Sequence, residues 1–315
     1  MDTNMQALAA ALWPSPQQLK EVAGGLFNRV VRVDFATGTG YLKSFTETAV
    51  SGNFPPLPTS AAERCLVASA WHRLAMRASA DAPQVAVPAL LAVQPQCHLL
   101  AMEQAQGVPL YAVLQEEVHS AAHVLTTLVS WLGVLHGLPL EPRAPLLAAS
   151  RPFKAFKVDL QYTRLLPELP QELHAAAEAF VAEYLAQEDE PVHGDINSRN
   201  VLVDEDRVAV IDFEQGHYGD GLYDVAYVLS EYTIRDLRLQ ADPEQCIAGI
   251  WQAYCHARKK TLDSVAYRRW RSHLAFQTLY RLVGPSRQVW TGHLSPTEQA
   301  RVRSWSTAEL ARWLL

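Results

Sequence analysis

Within the stretch VHGDINSRNVLVDEDRVAVIDFE, residues 192–214, the chain places Asp195, Asn200 and Asp212 inside eighteen positions. Asp195 follows Gly194, whose missing Cβ permits a tight or left-handed backbone, so the carboxylate can project from a loop. Asn200 ends that loop, and Asp212 follows the apolar run VAVI. If residues 201–203 and 207–212 pair as a hairpin, Asn200 and Asp212 arrive at one end of it, where one small cation can bridge them. Mg²⁺ takes hard oxygen ligands, commonly one or two from the protein, and keeps other positions for phosphate oxygens. A nearby free carboxylate, here Asp195, can orient a substrate hydroxyl and accept its proton. These are the parts of a kinase-type phosphoryl-transfer site.

Neighbouring residues carry blander readings. His193, a loop histidine beside glycine, is expected to hydrogen-bond the local backbone as scaffold. Asp224, inside LYDVAYVL, is expected to cap a helix or anchor the catalytic loop rather than touch substrate. Asp220 and Glu214 read equally well as acceptor-facing acids and as solvated loop acids. Tyr218, Tyr223, Trp251 and Tyr254 could wall a cation site, but aromatics at helical spacing are expected in a core. From Arg258 to Arg287 eight Lys or Arg face a single acid, Asp263; solvated helix faces are the expectation, an anionic acceptor the alternative.

The elements that must hold these residues fall in two blocks. Residues 4–22 read as helix broken at Pro14, with Ser15 capping the second piece, PQQLKEVA. NRVVRVDFA (28–36) alternates as a strand, and GTG turns it into YLKSF (41–45). AAERCLVASAWHRLAMRA (61–78) has helical spacing, with Ser60 as N-cap and Glu63 at the capping-box position. QVAVPALLAV and CHLLAME read as further strands. This block is a small sheet of about five strands with one long helix. Helices are then expected at 119–138, at 169–187 and over most of 222–314, interrupted by the hairpin alone.

Bulk properties exclude several classes. A chain of 315 residues exceeds one average core, so two lobes or domains are expected. Its net charge of -6 implies no blanket attraction to nucleic acid or anionic membrane. Cys65, Cys97, Cys246 and Cys255 form no CxxC pair and suggest buried thiols in a reducing compartment, not a zinc site or disulfide framework. The N-terminus lacks a basic leader, and no apolar run reaches the ~20 residues of a membrane span. A cytoplasmic protein is the expectation.

HGDINSRN followed by VIDFE resembles the aminoglycoside phosphotransferase and choline kinase family, small-molecule relatives of the protein kinases. GGLFNRVVRV (24–33) is similar to that family's nucleotide-covering turn and strand, although Gly24-Gly25 is not GxGxxG. YLKSF places Lys43 like the lysine that holds the α- and β-phosphates, with Glu63 like its helix partner and Glu47 as a poorer candidate. LLAMEQAQGVPL (99–110) resembles the linker in which main-chain groups of Glu103 and Ala105 meet adenine. LHGL (135–138) and YGDGLYDVAYVL (218–229) also match. The resemblance implies an α+β, two-lobed protein-kinase-like fold. Residues 1–104 would form a nucleotide-binding lobe with a five-stranded antiparallel sheet, and 105–315 a larger helical lobe for catalysis and acceptor binding. It implies ATP and Mg²⁺, with Asp195 as base and Asn200 and Asp212 as metal ligands. The acceptor would be a hydroxyl of a small molecule: aminoglycoside, amino alcohol, sugar or similar metabolite. A protein kinase and a catalytically silent nucleotide-binding module are the rival readings.

Overall fold

A computed structural model describes residues 3–13, 18–22, 28–48, 57–115, 121–139, 141–205 and 207–315. Helix α1 (Thr3–Leu12) precedes three antiparallel strands, β1 (Gln18–Val22), β2 (Asn28–Phe35) and β3 (Gly38–Phe45), and then helix α2 (Ala61–Asp81). Strands β4 (Val85–Ala86), β5 (Leu90–Gln94) and β6 (Leu99–Glu103) follow. The first sheet has the order β1-β2-β3-β6-β5, and every neighbouring pair in it is antiparallel. α2 starts with the expected capping box, in which the Ser60 hydroxyl takes the Glu63 N–H and the Glu63 carboxylate takes the Ser60 N–H.

Residues 18–22 correct one expectation. They form a strand where the sequence pattern suggests a helix, in register with β2 from Gln18↔Asp34 to Val22↔Val30. Five residues carry too little periodicity to separate the two states, and the open edge of β2 decides between them by offering a full ladder. The Arg29–Glu21 ion pair at 2.8 Å ties the two strands further. The expected cap at Ser15 lies outside the described residues.

Beyond β6 come β7 (Val108–Pro109), α3 (Leu110–Gln115), α4 (Ala121–Gly137), α5 (Arg143–Gln161) and α6 (His174–Ala186). Next are β8 (Glu190–Val192), β9 (Val201–Asp204), β10 (Arg207–Val210) and β11 (His217–Gly219). Helices α7 (Gly221–Arg238), α8 (Glu244–Arg258), α9 (Ser264–Val283), α10 (Arg287–Trp290) and α11 (Pro296–Leu314) complete the chain. This part is mostly helical. Helix α5 and the short β8–β11 pair were not signalled by the sequence. The inner face of α5 buries Lys154 and Lys157 beside Phe153 and Leu160, which blurs its apolar stripe.

A second sheet joins early and late segments. Its order is β4-β10-β9-β7, with β4 parallel to β10. One core cluster likewise runs from Trp71, Leu74 and Val85 to Trp131, Val201, Val210 and Leu229. Among the described residues, no helix is long and apolar enough to cross a membrane.

Candidate active site

β9 and β10 form the expected hairpin, with Val201 opposite Val210. One step beyond the ladder the Ile211 N–H donates to the Asn200 carbonyl at 3.0 Å. Asn200 and Asp212 therefore emerge at the same end. Asp212 has a φ of 69°, a left-handed conformation that Asp tolerates better than most residues. Asn200 turns its Nδ2 to Asp195, 2.9 Å from the carbonyl and 3.1 Å from Oδ2. Loop and hairpin thus bring Asp195, Asn200 and Asp212 together.

The loop is held from behind. Gly194 has a φ of +79°, and a Cβ there would lie 2.1 Å from the Gln215 carbonyl oxygen, so glycine is required by both backbone and space. The Asp224 carboxylate, in the first turn of α7, accepts the His193 N–H at 2.6 Å and the Gly194 N–H at 3.0 Å. It also takes His136 Nε2 at 3.1 Å, and the Tyr254 hydroxyl meets His136 Nδ1 at 2.9 Å. Burial pushes the Asp224 carboxyl up, but the hydrogen bonds from His136 and from the His193 N–H outweigh it and hold the pKa below its usual value. His193 is fully buried and shares its ring nitrogens between the Asp195 N–H and the Ile211 carbonyl. Burial lowers its pKa, which keeps the ring neutral with the proton on Nε2 facing that carbonyl. His193 is scaffold and Asp224 is the anchor of the loop.

Lys43 approaches from the other side. It sits in the middle of β3, opposite Val30 and Leu100. Its Nζ lies 2.6 Å from Asp212 Oδ1 and 2.7 Å from Glu214 Oε2. Burial alone would lower the lysine's pKa, yet the two carboxylates raise it, so the side chain stays charged. Asp212 is held below the usual carboxylate range because Lys43 overcomes the penalty of burial. Glu214 moves the other way, since burial together with the nearby Asp212 charge outweighs the same lysine. Asn28 Nδ2 also donates to Glu214. The expected Lys43–Glu63 pair is thereby corrected. Glu63 spends its carboxylate on Ser60 at the start of α2, and Glu47 accepts the Ala61 N–H.

Gly24 and Gly25 lie outside the described residues. Glu103 ends β6 with its N–H donated to the Ala89 carbonyl at 3.0 Å, and Ala105 follows in the half-buried linker. Asp220 and Glu214 are buried rather than solvated. Tyr218, Tyr223 and Tyr254 are core residues, Tyr218 and Tyr254 in the cluster against which the half-buried Trp251 packs and Tyr223 in a second one. The basic stretch is not simply a solvated face: Arg271 pairs with Glu244 and Glu309, and Arg281 with Glu231, all three pairs being made by almost fully buried guanidiniums.

Two residues at the site went unread in the sequence. Lys157 of α5 and Gln215 both touch the Asp195 carboxylate, at 3.1 and 3.2 Å. Neither carries a clear signal in the sequence, since the inner face of α5 mixes lysines with apolar residues.

A profile of the phosphotransferase enzyme family, APH, matches residues 18–272, most of the chain. The chain belongs to this family. It is a phosphotransferase with the fold of the small-molecule kinases, as the resemblance implied. No curated protein sequence matches it. Among solved structures it is similar to an ADP-bound aminoglycoside phosphotransferase, APH(2'')-Ib, at 14% identity and a TM-score of 0.54, over 100% of both chains. It is also similar to the macrolide 2'-phosphotransferase MphH of Brachybacterium faecium, at 21% identity and a TM-score of 0.53, covering 98% of this chain and 97% of that one. A choline kinase from Cryptosporidium parvum Iowa II matches at 12% identity and a TM-score of 0.53, over 99% and 94% of the two chains. At these identities the likeness is one of fold.

Proposed function

We propose that this phosphotransferase moves the γ-phosphoryl group of ATP to a hydroxyl of a small molecule, with Asp195 as the base. The observation that carries the reading is the convergence of Asp195, Asn200, Asp212 and Lys43 from three separate elements. Asp195 orients the acceptor hydroxyl and takes its proton as the new O–P bond forms and the bond to the β-phosphate oxygen breaks, releasing ADP. Lys43 places a charged ammonium where the α- and β-phosphates would lie. Glu103 and Ala105 offer linker main chain to the base, Glu103 through its carbonyl because its N–H is committed. Gly24 and Gly25 would cover the phosphates.

The donor set suits Mg²⁺. Asn200 directs its amide nitrogen at Asp195, which turns its oxygen away from that carboxylate, and Asp212 commits Oδ1 to Lys43 and retains a second oxygen. Two hard oxygens beside a phosphate site are what such an ion takes from a protein. Bound there, it would neutralise charge on the phosphate oxygens. Activity rests mainly on this positioning and charge.

A small acceptor is supported by the segment after Asp212. Residues 213–220 run straight into α7, nearly all buried, with β11 paired to β8. They leave no extended platform for a peptide, and Gly194 carries no charge to receive a loop phosphate. The test is transfer of label from [γ-³²P]ATP. Label is expected in a low-molecular-weight acceptor from a dialysable metabolite extract, with generic protein substrates unlabelled. Asp195→Ala should keep Mg·ATP binding and lower kcat by roughly 10²–10⁴. Stoichiometric labelling of protein with an unlabelled metabolite fraction would reverse the assignment.

A further inference from the structure

We propose that Lys157 and Gln215 form a clamp that positions the Asp195 carboxylate; the idea rests on the reading of Asp195 as base. Lys157 comes from α5, nearly forty residues before the loop, and is 6% exposed. Its ammonium donates to the Gly194 carbonyl, to Gln215 Oε1 at 2.6 Å and to Asp195 Oδ1 at 3.1 Å. Three donors meet three acceptors, which is the full capacity of an ammonium. Gln215 Nε2 closes the ring by donating to Asp195 Oδ2 at 3.2 Å.

Each carboxylate oxygen is therefore held by a different member of one closed triangle. Rotation of the carboxylate breaks at least one of these bonds. Asn200 adds a further donor on Oδ2 at 3.1 Å, while the Tyr227 hydroxyl stands 3.5 Å from Oδ1. A carboxylate offers about four lone-pair directions, and the Tyr227 contact is the longest. That is the direction an acceptor hydroxyl would take over.

A buried ammonium carries a heavy desolvation penalty unless it is fully paired, and an apolar residue at such a position is commonly as stable or more so. The inner face of α5 mixes apolar Phe153 and Leu160 with buried Lys154 and Gln161, but Lys154 spends its ammonium on the Leu185 and Gln187 carbonyls, away from the Asp195 loop. A lysine there, with its head on the loop that carries Asp195, fits positioning better than packing. Because Gln215 follows Asp212 by three residues, the same short segment carries a metal ligand, the Lys43 partner and half of the clamp.

The test uses the intact chain and Mg·ATP with water as the phosphoryl acceptor, followed by ADP release, beside calorimetric binding of Mg·ATP. Lys157→Met and Gln215→Leu should each slow ADP release by about 10–100-fold, the scale of a small misplacement of a reacting group. Mg·ATP affinity should move less than about threefold, because the clamp acts on the base and not on the nucleotide. Lys157→Met combined with Asp195→Ala should be no slower than Asp195→Ala alone, as expected for residues acting through one another. If Lys157→Met fails to fold, the half-buried Gln215 carries the test. Clamp variants within about twofold of wild type, in the presence of a slow Asp195→Ala, overturn the clamp and leave the base standing. Loss of Mg·ATP affinity in step with the rate overturns it in favour of a structural role. An Asp195→Ala variant at the wild-type rate removes both the base and the clamp.

Discussion

Lys43 takes both its acidic partners, Asp212 and Glu214, from the short segment after β10. A lysine paired to a helix acid depends on how that helix is set, whereas Lys43, at 2.7 Å from Glu214, depends on the residues after β10. Glu63 has its own work at the N-terminus of α2. The two acids should separate in experiment. Glu214→Gln should raise the KM for ATP, lower kcat, or both, since it loosens the charge that holds the ammonium. Glu63→Gln should leave both constants nearly unchanged and cost at most ~1 kcal/mol of stability through a weakened cap. Steady-state kinetics with thermal denaturation of both variants checks this, and an Glu63→Gln enzyme with impaired ATP use would restore the helix acid to the lysine.

At the scale of elements, α7 organises the loop from its N-terminus. Asp220 caps it, accepting the Leu222 N–H at 3.1 Å, and Asp224 in its first turn holds His193 and Gly194. Asp220 also receives Arg269 Nε at 2.5 Å and lies 3.6 Å from His273 Nε2, so α9 is tied to the same helix end. Burial pushes the Asp220 carboxyl up, but His273 and Arg269 outweigh it and bring the pKa to about 2. The unfolded value is ~3.9. A folded pKa depressed in this way stabilises the protein above the unfolded pKa, and that stability is lost as pH falls through the folded one. The contribution is on the order of 2 kcal/mol near neutrality. Asp220→Asn keeps a good N-cap but loses the charge. It should be less stable than wild type by about that amount above pH ~4, with the gap closing as pH falls toward ~2. Urea unfolding of both proteins over that range measures it, and a pH-independent gap would assign the effect to packing alone.

Across the whole molecule, the proposed division after residue 104 is one of roles more than of folding. β4, from the first part, pairs with β10, while β7 just past the boundary pairs with β9. The core that contains Trp71, Leu74 and Val85 continues through Trp131 and Leu229. Each fully buried large apolar side chain contributes ~1.5–3 kcal/mol, and a cut at 104 would expose many of them on both sides. The intact chain should therefore melt in one cooperative transition followed by circular dichroism. Segments 1–104 and 105–315 expressed apart should show none, and a sharp transition in the isolated first segment would establish it as a folding unit.

The proposed catalytic constellation was legible as a cluster because it is local. Asp195, Asn200 and Asp212 sit on one loop and one hairpin, so their spacing alone brings them to one end, and Gly194 announces the backbone the loop needs. The Ser60–Glu63 cap and the long α2 and α4 follow from the same short-range rules. What lies far apart in the chain was decided only by the tertiary structure. Lys43 and Glu214 are separated by 171 positions, and only the packed fold chooses between Glu214 and Glu63. β1 is a strand because β2 offers it an edge, which no periodicity over five residues can convey. Lys157 has no role legible in the sequence until α5 turns it onto Asp195, because the meaning of a buried charge is set by the partners that surround it.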